Sequence, residues 1–205
     1  MIDLVHIKSE LDKRRGKLEL INQSIDSLND ELQKLNDTLR VSKEAQKIIQ
    51  IVAKETQQQI EYHISNMITM CIQNLGKDYQ FVCEFVTRRD KTECDLYLTN
   101  DSGEKLDPYA EVGGSIVQII DFALRCSLWS LQKNKVNNFL FLDEPFNAIR
   151  KNLHTKLKKI LSDISQKLKL QLVIISHDPD IISLGDNVIN LEKKSGKVIV
   201  SDEEY

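Results

Sequence analysis

Two adjacent carboxylates, Asp143 and Glu144, follow the run Phe139-Leu140-Phe141-Leu142 and stand directly before Pro145. Four consecutive apolar residues predict a strand buried on both faces. Pro145 cannot extend a hydrogen-bonded ladder, so the strand stops there and presents both acids at its C-terminal end. Open α/β sheets bind ligands at that edge. One carboxylate beside Mg2+ and another beside a water is the pairing that nucleoside-triphosphate hydrolysis requires. An acid that merely caps the next helix after a buried strand would look the same, so the flanking residues decide.

A second apolar run, Leu172-Val173-Ile174-Ile175, predicts a neighbouring buried strand, and it ends in Ser176-His177-Asp178-Pro179. His177 would then lie close to the acid pair, either as a ligand-reading group or as a hydrogen-bonded structural histidine. Upstream, Glu111-Val112-Gly113-Gly114-Ser115 opens an apolar helix through Ile116, Ile119, Ile120, Ala123, Leu124, Leu128 and Leu131. Glycines at a helix N-terminus let backbone N–H groups approach an anion, which the helix dipole also favours. Alone, the same Gly-Gly is an ordinary tight turn.

The elements that must position these groups follow from periodicity. Leu4, Leu11, Leu18, Ile25, Leu32 and Leu39 recur every seven residues, with Ile7, Ile21, Leu28 and Leu35 in the second seam position and Arg14 interrupting it. Consecutive heptads with charged and amide residues between them predict a coiled coil. The pattern weakens after Ser42, and a second amphipathic stretch over 60–75 uses Ile64, Met67, Ile68 and Cys71 before Gly76 ends it. Phe81, Cys83 and Phe85, then Leu96 and Leu98, alternate as two strands. The polar 87–92 segment reads as their connection, and Asn100-Asp101-Ser102-Gly103 as a turn. An amphipathic helix is predicted near 153–168 and a terminal hairpin over 187–191 and 197–201, across Ser195-Gly196.

The 205 residues allow one globular domain plus an extension, and the net charge of −3 gives no overall pull towards nucleic acid or membrane. Any DNA contact must be local, with Lys151, Lys156, Lys158, Lys159, Lys167 and Lys169 as one candidate face. Cys71, Cys83, Cys94 and Cys126 form no CxxC pair and read as free thiols, although Cys83 and Cys94 could face each other across the hairpin. The absence of a signal peptide or spanning apolar run predicts a soluble, cytoplasmic protein (host cytoplasm, were it viral).

In this order, Gly113-Gly114, Asp143-Glu144 and Ser176-His177-Asp178 resemble the signature motif, Walker B motif and His loop of the C-terminal half of SMC/SbcC-type ABC ATPases. Phe122-Ala123-Leu124-Arg125 and Leu142-Asp143-Glu144-Pro145-Phe146 look closest to SbcC-like and phage recombination ATPases. The resemblance covers nearly the whole chain. It implies an α/β fold, the C-terminal lobe of an ABC-type P-loop ATPase head (59–205), carried by a descending coiled-coil arm (1–58). It also implies ATP and Mg2+ as cofactors. Asp143 would help hold the metal, Glu144 would activate water, and His177 would bond the γ-phosphate. Gly113, Gly114 and Ser115 would contact nucleotide on an opposing head. The implied partners are a Walker A-bearing N-terminal half, a second head, an SbcD-like nuclease and DNA, with no membrane.

The chain departs from this pattern in three places. None of its Gly-Lys pairs, Gly16-Lys17, Gly76-Lys77 and Gly196-Lys197, fits GxxxxGK[ST], so the chain alone should bind ATP poorly and hydrolyse none. The heptad beginning at Met1 favours a separately encoded subunit over a piece of a longer polypeptide. Val112 replaces the Ser that usually precedes the two glycines, and Asn147-Ala148-Ile149-Arg150 replaces the usual Ser and Asp of the D-loop. A non-catalytic coiled-coil lobe that regulates a complete ATPase is the alternative these departures favour.

Overall fold

The computed structural model describes the backbone of residues 4–133, 137–194 and 197–204. Two compact units divide the chain, Met1–Thr56 and Gln57–Tyr205. The heptad sequence, free of proline, forms helix α1 (Leu4–Asn74), so the weakening pattern after Ser42 breaks nothing. In the first unit the seam is open: Ile7, Leu18, Leu28 and Leu39 are 46, 63, 63 and 52 % exposed. Among the described residues of this unit, the stripe of leucines and isoleucines is an exposed apolar seam with heptad spacing.

The second unit begins with the last turns of α1, whose Ile64, Met67, Ile68, Cys71 and Ile72 are buried at helical spacing, with Leu75 buried just beyond them. Gly76 terminates it at φ +88. The Gly76 N–H donates to Gln73 O and the Lys77 N–H to Ile72 O, the double bond pattern of a helix end that needs a left-handed residue. Lys156 Nζ donates to Leu75 O (3.3 Å), covering one more terminal carbonyl.

Strands β1 (Gln80–Arg88), β2 (Lys91–Thr99) and β3 (Lys105–Leu106) form an antiparallel sheet in the order β1-β2-β3. The hairpin is tighter than the sequence predicts. Only Arg89 and Asp90 turn, at φ 50 and 59, and 87–88 and 91–92 are strand. Arg88 explains part of this, since it reaches across to Asp95 (2.6 and 2.8 Å) and Glu93 (3.1 Å). The outer edge of β1 is stitched to α1 by acceptors four residues apart. Glu61, Ser65 and Thr69 take the N–H groups of Phe85 (2.5 Å), Cys83 (2.9 Å) and Phe81 (2.9 Å). Four helical residues rise about 6 Å and two strand residues about 6.7 Å, so the two ladders stay in step.

Helix α2 (Gly114–Leu131) lays Ile116, Ile119, Ile120, Phe122, Ala123 and Cys126 into the core, while Leu128 and Leu131 are exposed. Strand β4 (Phe139–Asp143) precedes a 3-10 turn (Lys151–Leu153) and α3 (His154–Leu168), and β5 (Gln171–Ile175) pairs parallel with β4. A short helix, α4 (Pro179–Ile182), and an antiparallel pair, β6 (Asn187–Lys194) and β7 (Lys197–Glu204), complete the described chain. The two central residues of that predicted hairpin, Ser195 and Gly196, lie outside the described residues.

One sequence expectation fails. Neither β4 nor β5 is buried on both faces: Leu142 is 2 % exposed, but Phe141 is 59 % and Ile175 56 %. The sheet has two strands, and the core packs on only one side of it. Among the described residues no helix is long and apolar enough to cross a membrane.

Candidate functional site

Asp143 ends β4 opposite Ile175 of β5, so both strands deliver polar residues to one sheet edge, as the sequence predicts. Asp143 is exposed. Glu144 follows at φ +45, a left-handed conformation unfavourable for a residue bearing a Cβ. The Glu144 N–H still continues the ladder by donating to Ile175 O (2.9 Å). The twist turns the Glu144 side chain towards the end of β5. There Oε1 meets His177 Nδ1 at 2.6 Å and accepts the His177 backbone N–H at 3.0 Å, while Ser176 Oγ donates to Oε2 (3.3 Å). Hydrogen bonding to His177 holds the Glu144 carboxyl below its ordinary range, and the same bond raises the His177 imidazole above its own. Each partner thus favours the charged form of the other. The Glu144 side chain is 29 % exposed and that of His177 84 %, so the histidine is the more solvent-facing member of the pair. Asp178 fixes the turn behind them, accepting the Asp180 N–H (2.9 Å) as the N-cap before Pro179.

Gly113 is the extended N-cap of α2 and no side chain caps the helix there. Its carbonyl accepts from Ile116 (2.9 Å), while the N–H groups of the first turn belong to Gly114 and Ser115. Val112 is half-buried and packs on the core, so no hydroxyl stands at that position. This helix start touches the loop beyond the acid pair, since a Cβ added at Gly114 would lie 3.3 Å from the Ala148 Cβ. Gln118, a residue the sequence reading passed over, bonds both Asn147 and Ala148. Its signal was a lone amide on the otherwise apolar 116–120 turn.

The exposed Asp143 carboxylate is a hard oxygen donor of the kind Mg2+ takes. Among the described residues no three metal-binding side chains cluster, and Mg2+ in phosphate sites takes one or two carboxylates beside phosphate oxygens and waters. The donor set fits that share. The sequence contains no GxxxxGK[ST] phosphate cradle. Of the six lysines that could face DNA, Lys151 is paired with Asp180 and Lys156 caps α1, whereas Lys158, Lys159, Lys167 and Lys169 are exposed.

No family model matches the chain. The fold is that of an SMC-type ATPase head with its coiled coil. The Smc head domain with an extended coiled coil from Pyrococcus furiosus, solved bound to the C-terminal domain of ScpA, aligns at TM-score 0.62 and 16 % identity, over 96 % of this chain and 52 % of that one. In sequence, the chain is 31 % identical over 153 residues to the DNA double-strand break repair Rad50 ATPase of Sulfolobus acidocaldarius, covering 69 % of this chain and 16 % of the relative. It is 36 % identical over 110 residues to that of Sulfurisphaera tokodaii, covering 51 % and 12 %. Fold and sequence together match the chain to the C-terminal part of an SMC/SbcC-type ABC ATPase. It spans less than a fifth of the length of these Rad50 relatives.

Proposed function

We propose that this chain is the C-terminal half of an SMC/SbcC-like ATPase, with residues 1–58 as the coiled-coil arm and 59–205 as the catalytic lobe. Joined to a Walker A-bearing N-terminal half, it binds and hydrolyses ATP to drive DNA end processing, recombination or repair in the cytoplasm. One observation carries this reading: the site sits on an unfinished sheet. Phe139, Phe141 and Ile175 lie exposed on β4 and β5, directly behind Asp143, Glu144 and His177. A two-stranded parallel sheet with an open apolar face needs cover, because parallel sheets persist when both faces are packed.

Asp143 would hold Mg2+ through a carboxylate oxygen, and the metal would supply charge neutralisation at the phosphate oxygens. Glu144 orients the attacking water and accepts its proton at the carboxylate. His177 donates to a phosphate oxygen, and Gly113, Gly114 and Ser115 offer N–H donors to nucleotide on a second head. In the chain alone Glu144 and His177 are engaged with each other at 2.6 Å, which lowers the basicity of the glutamate. Turnover therefore requires that pair to open, and the 84 % exposed imidazole is the member free to move. DNA and an SbcD-like nuclease are the partners this reading entails.

The half-buried Val112 supports a second reading, in which the lobe regulates a complete ATPase without turning over ATP itself. The deciding test is ATP binding and turnover by the chain alone and mixed with a Walker A-bearing N-terminal half. Turnover appearing only in the mixture, with Glu144→Gln retaining ATP but losing hydrolysis, supports the half-site. Association without turnover leaves the regulatory role.

A further inference from the structure

Between the start of α2 and the loop beyond Glu144 stands a single carboxamide. Gln118 Nε2 donates to Asn147 Oδ1 at 2.5 Å, and Gln118 Oε1 accepts the Ala148 N–H at 2.9 Å. Both ends of the side chain are therefore spent on two consecutive loop residues. One turn earlier on α2, Gly114 leaves room only for the small Ala148 side chain. One turn later, the Phe122 ring meets Phe146 edge-on with centroids 5.5 Å apart, and both rings are buried. Positions 114, 118 and 122 share one face of the helix and meet loop residues 148, 147 and 146 in reverse order. The buried aromatic pair supplies the adhesion. The carboxamide adds direction: its two bonds tie the Asn147-Ala148 peptide to α2, while the Ile149 N–H donates to Phe146 O (3.0 Å) and closes the loop on itself.

We propose that Gln118 is a positioning residue: it clamps loop 146–149 to the first turns of α2, so that Gly113–Ser115 and Asp143-Glu144 hold one fixed spacing. The clamp is a property of the chain alone; its effect on turnover rests on the half-site reading above. Asn147 and Ala148 are exposed and Gln118 is half-buried, so the clamp contributes little to global stability and much to local order.

The test is a swap series in the full chain: Gln118→Ala, Gln118→Glu, Asn147→Asp, and the double Gln118→Glu/Asn147→Asp. In the chain alone, hydrogen exchange of the Ala148 amide should quicken roughly tenfold in Gln118→Ala, the scale of lost hydrogen bonds, with the melting temperature held. Gln118→Glu still accepts from Ala148 and can take the amide of a turned Asn147, so protection returns. Asn147→Asp still accepts from Gln118. The double variant sets two carboxylates face to face and should lose protection at neutral pH, regaining it in acid as one of them is protonated. In an active mixture with the Walker A-bearing half, turnover should follow the same order, with Gln118→Ala lowering kcat and leaving KM for ATP unchanged.

Unchanged Ala148 exchange in Gln118→Ala overturns the clamp, as does a double variant that behaves like either single one. Normal kcat for Gln118→Ala in an active mixture overturns the positioning role, while the half-site reading stands. A silent wild-type mixture counts against the half-site reading instead, and the exchange series then decides the clamp.

Discussion

Replacing Phe141 by alanine separates folding from assembly, because the ring is 59 % exposed on the open face of β4 and touches Phe139 edge-on at 5.1 Å. If the Walker A-bearing half covers that face, the exposed share of the ring becomes buried on association. Full burial of a phenylalanine side chain is worth about 1.5–3 kcal/mol, so three-fifths of it is about 1–2 kcal/mol, or roughly 5- to 30-fold in affinity. The chain alone should scarcely notice, since substitutions outside the core fall within about 0.5 kcal/mol, roughly 1–2 °C in melting temperature at this size. Isothermal titration of the N-terminal half into wild-type and Phe141→Ala chains, beside thermal melts of each chain alone, reads both quantities. Affinity unchanged within twofold would refute cover of this face by that half. A substantial drop in the melting temperature of the isolated variant would refute the view that Phe141 lies outside the chain's own core.

Two other perturbations address the fold and the site. Thr69→Val keeps the shape of the side chain but removes the acceptor for the Phe81 N–H, so stability should fall by about 1–3 kcal/mol in urea titration, whereas Thr69→Ser should recover most of it. For the Glu144–His177 pair, the raised imidazole contributes fully below its ordinary value of 6.5 and its contribution fades as pH rises through the elevated value. The depressed carboxyl contributes above its ordinary 4.5 and fades as pH falls through the lowered value. The stability gap between wild type and Glu144→Gln should therefore be widest between about pH 4.5 and 6.5, and the His177 NMR titration midpoint should drop towards 6.5 in that variant. A midpoint indifferent to Glu144→Gln would dissolve the pair.

Much of this architecture was legible because period and punctuation are local. The heptads predicted the first part of α1, the amphipathic 60–75 stretch its last turns, Gly76 its end, and Pro145 the end of β4. The open face of β4 and β5 was not legible, for a physical reason. A run such as Phe139-Leu140-Phe141-Leu142 records that a strand needs cover on both sides, and says nothing of which chain provides it. The left-handed Glu144 was equally hidden, because glycine or asparagine usually announces that conformation. The convergence of Glu144 and His177 on one sheet edge followed from two apolar runs ending in polar residues. The Gln118 clamp depends on contacts between residues 29 and 30 positions apart, which no local pattern reports.

The row of Glu61, Ser65 and Thr69 along β1 also bears on how the chain behaves in a crowded cell. An unpaired strand edge is a template on which further copies can add, the first step towards aggregates. On β1 the outward N–H groups of Phe81, Cys83 and Phe85 are already taken by side chains of the protein's own helix. Over 81–85 those N–H groups are therefore not open to a further strand. The apolar surface left open then lies elsewhere, along the α1 seam and on Phe141 and Ile175 of β4 and β5, where contact is made through side chains rather than through a free backbone ladder.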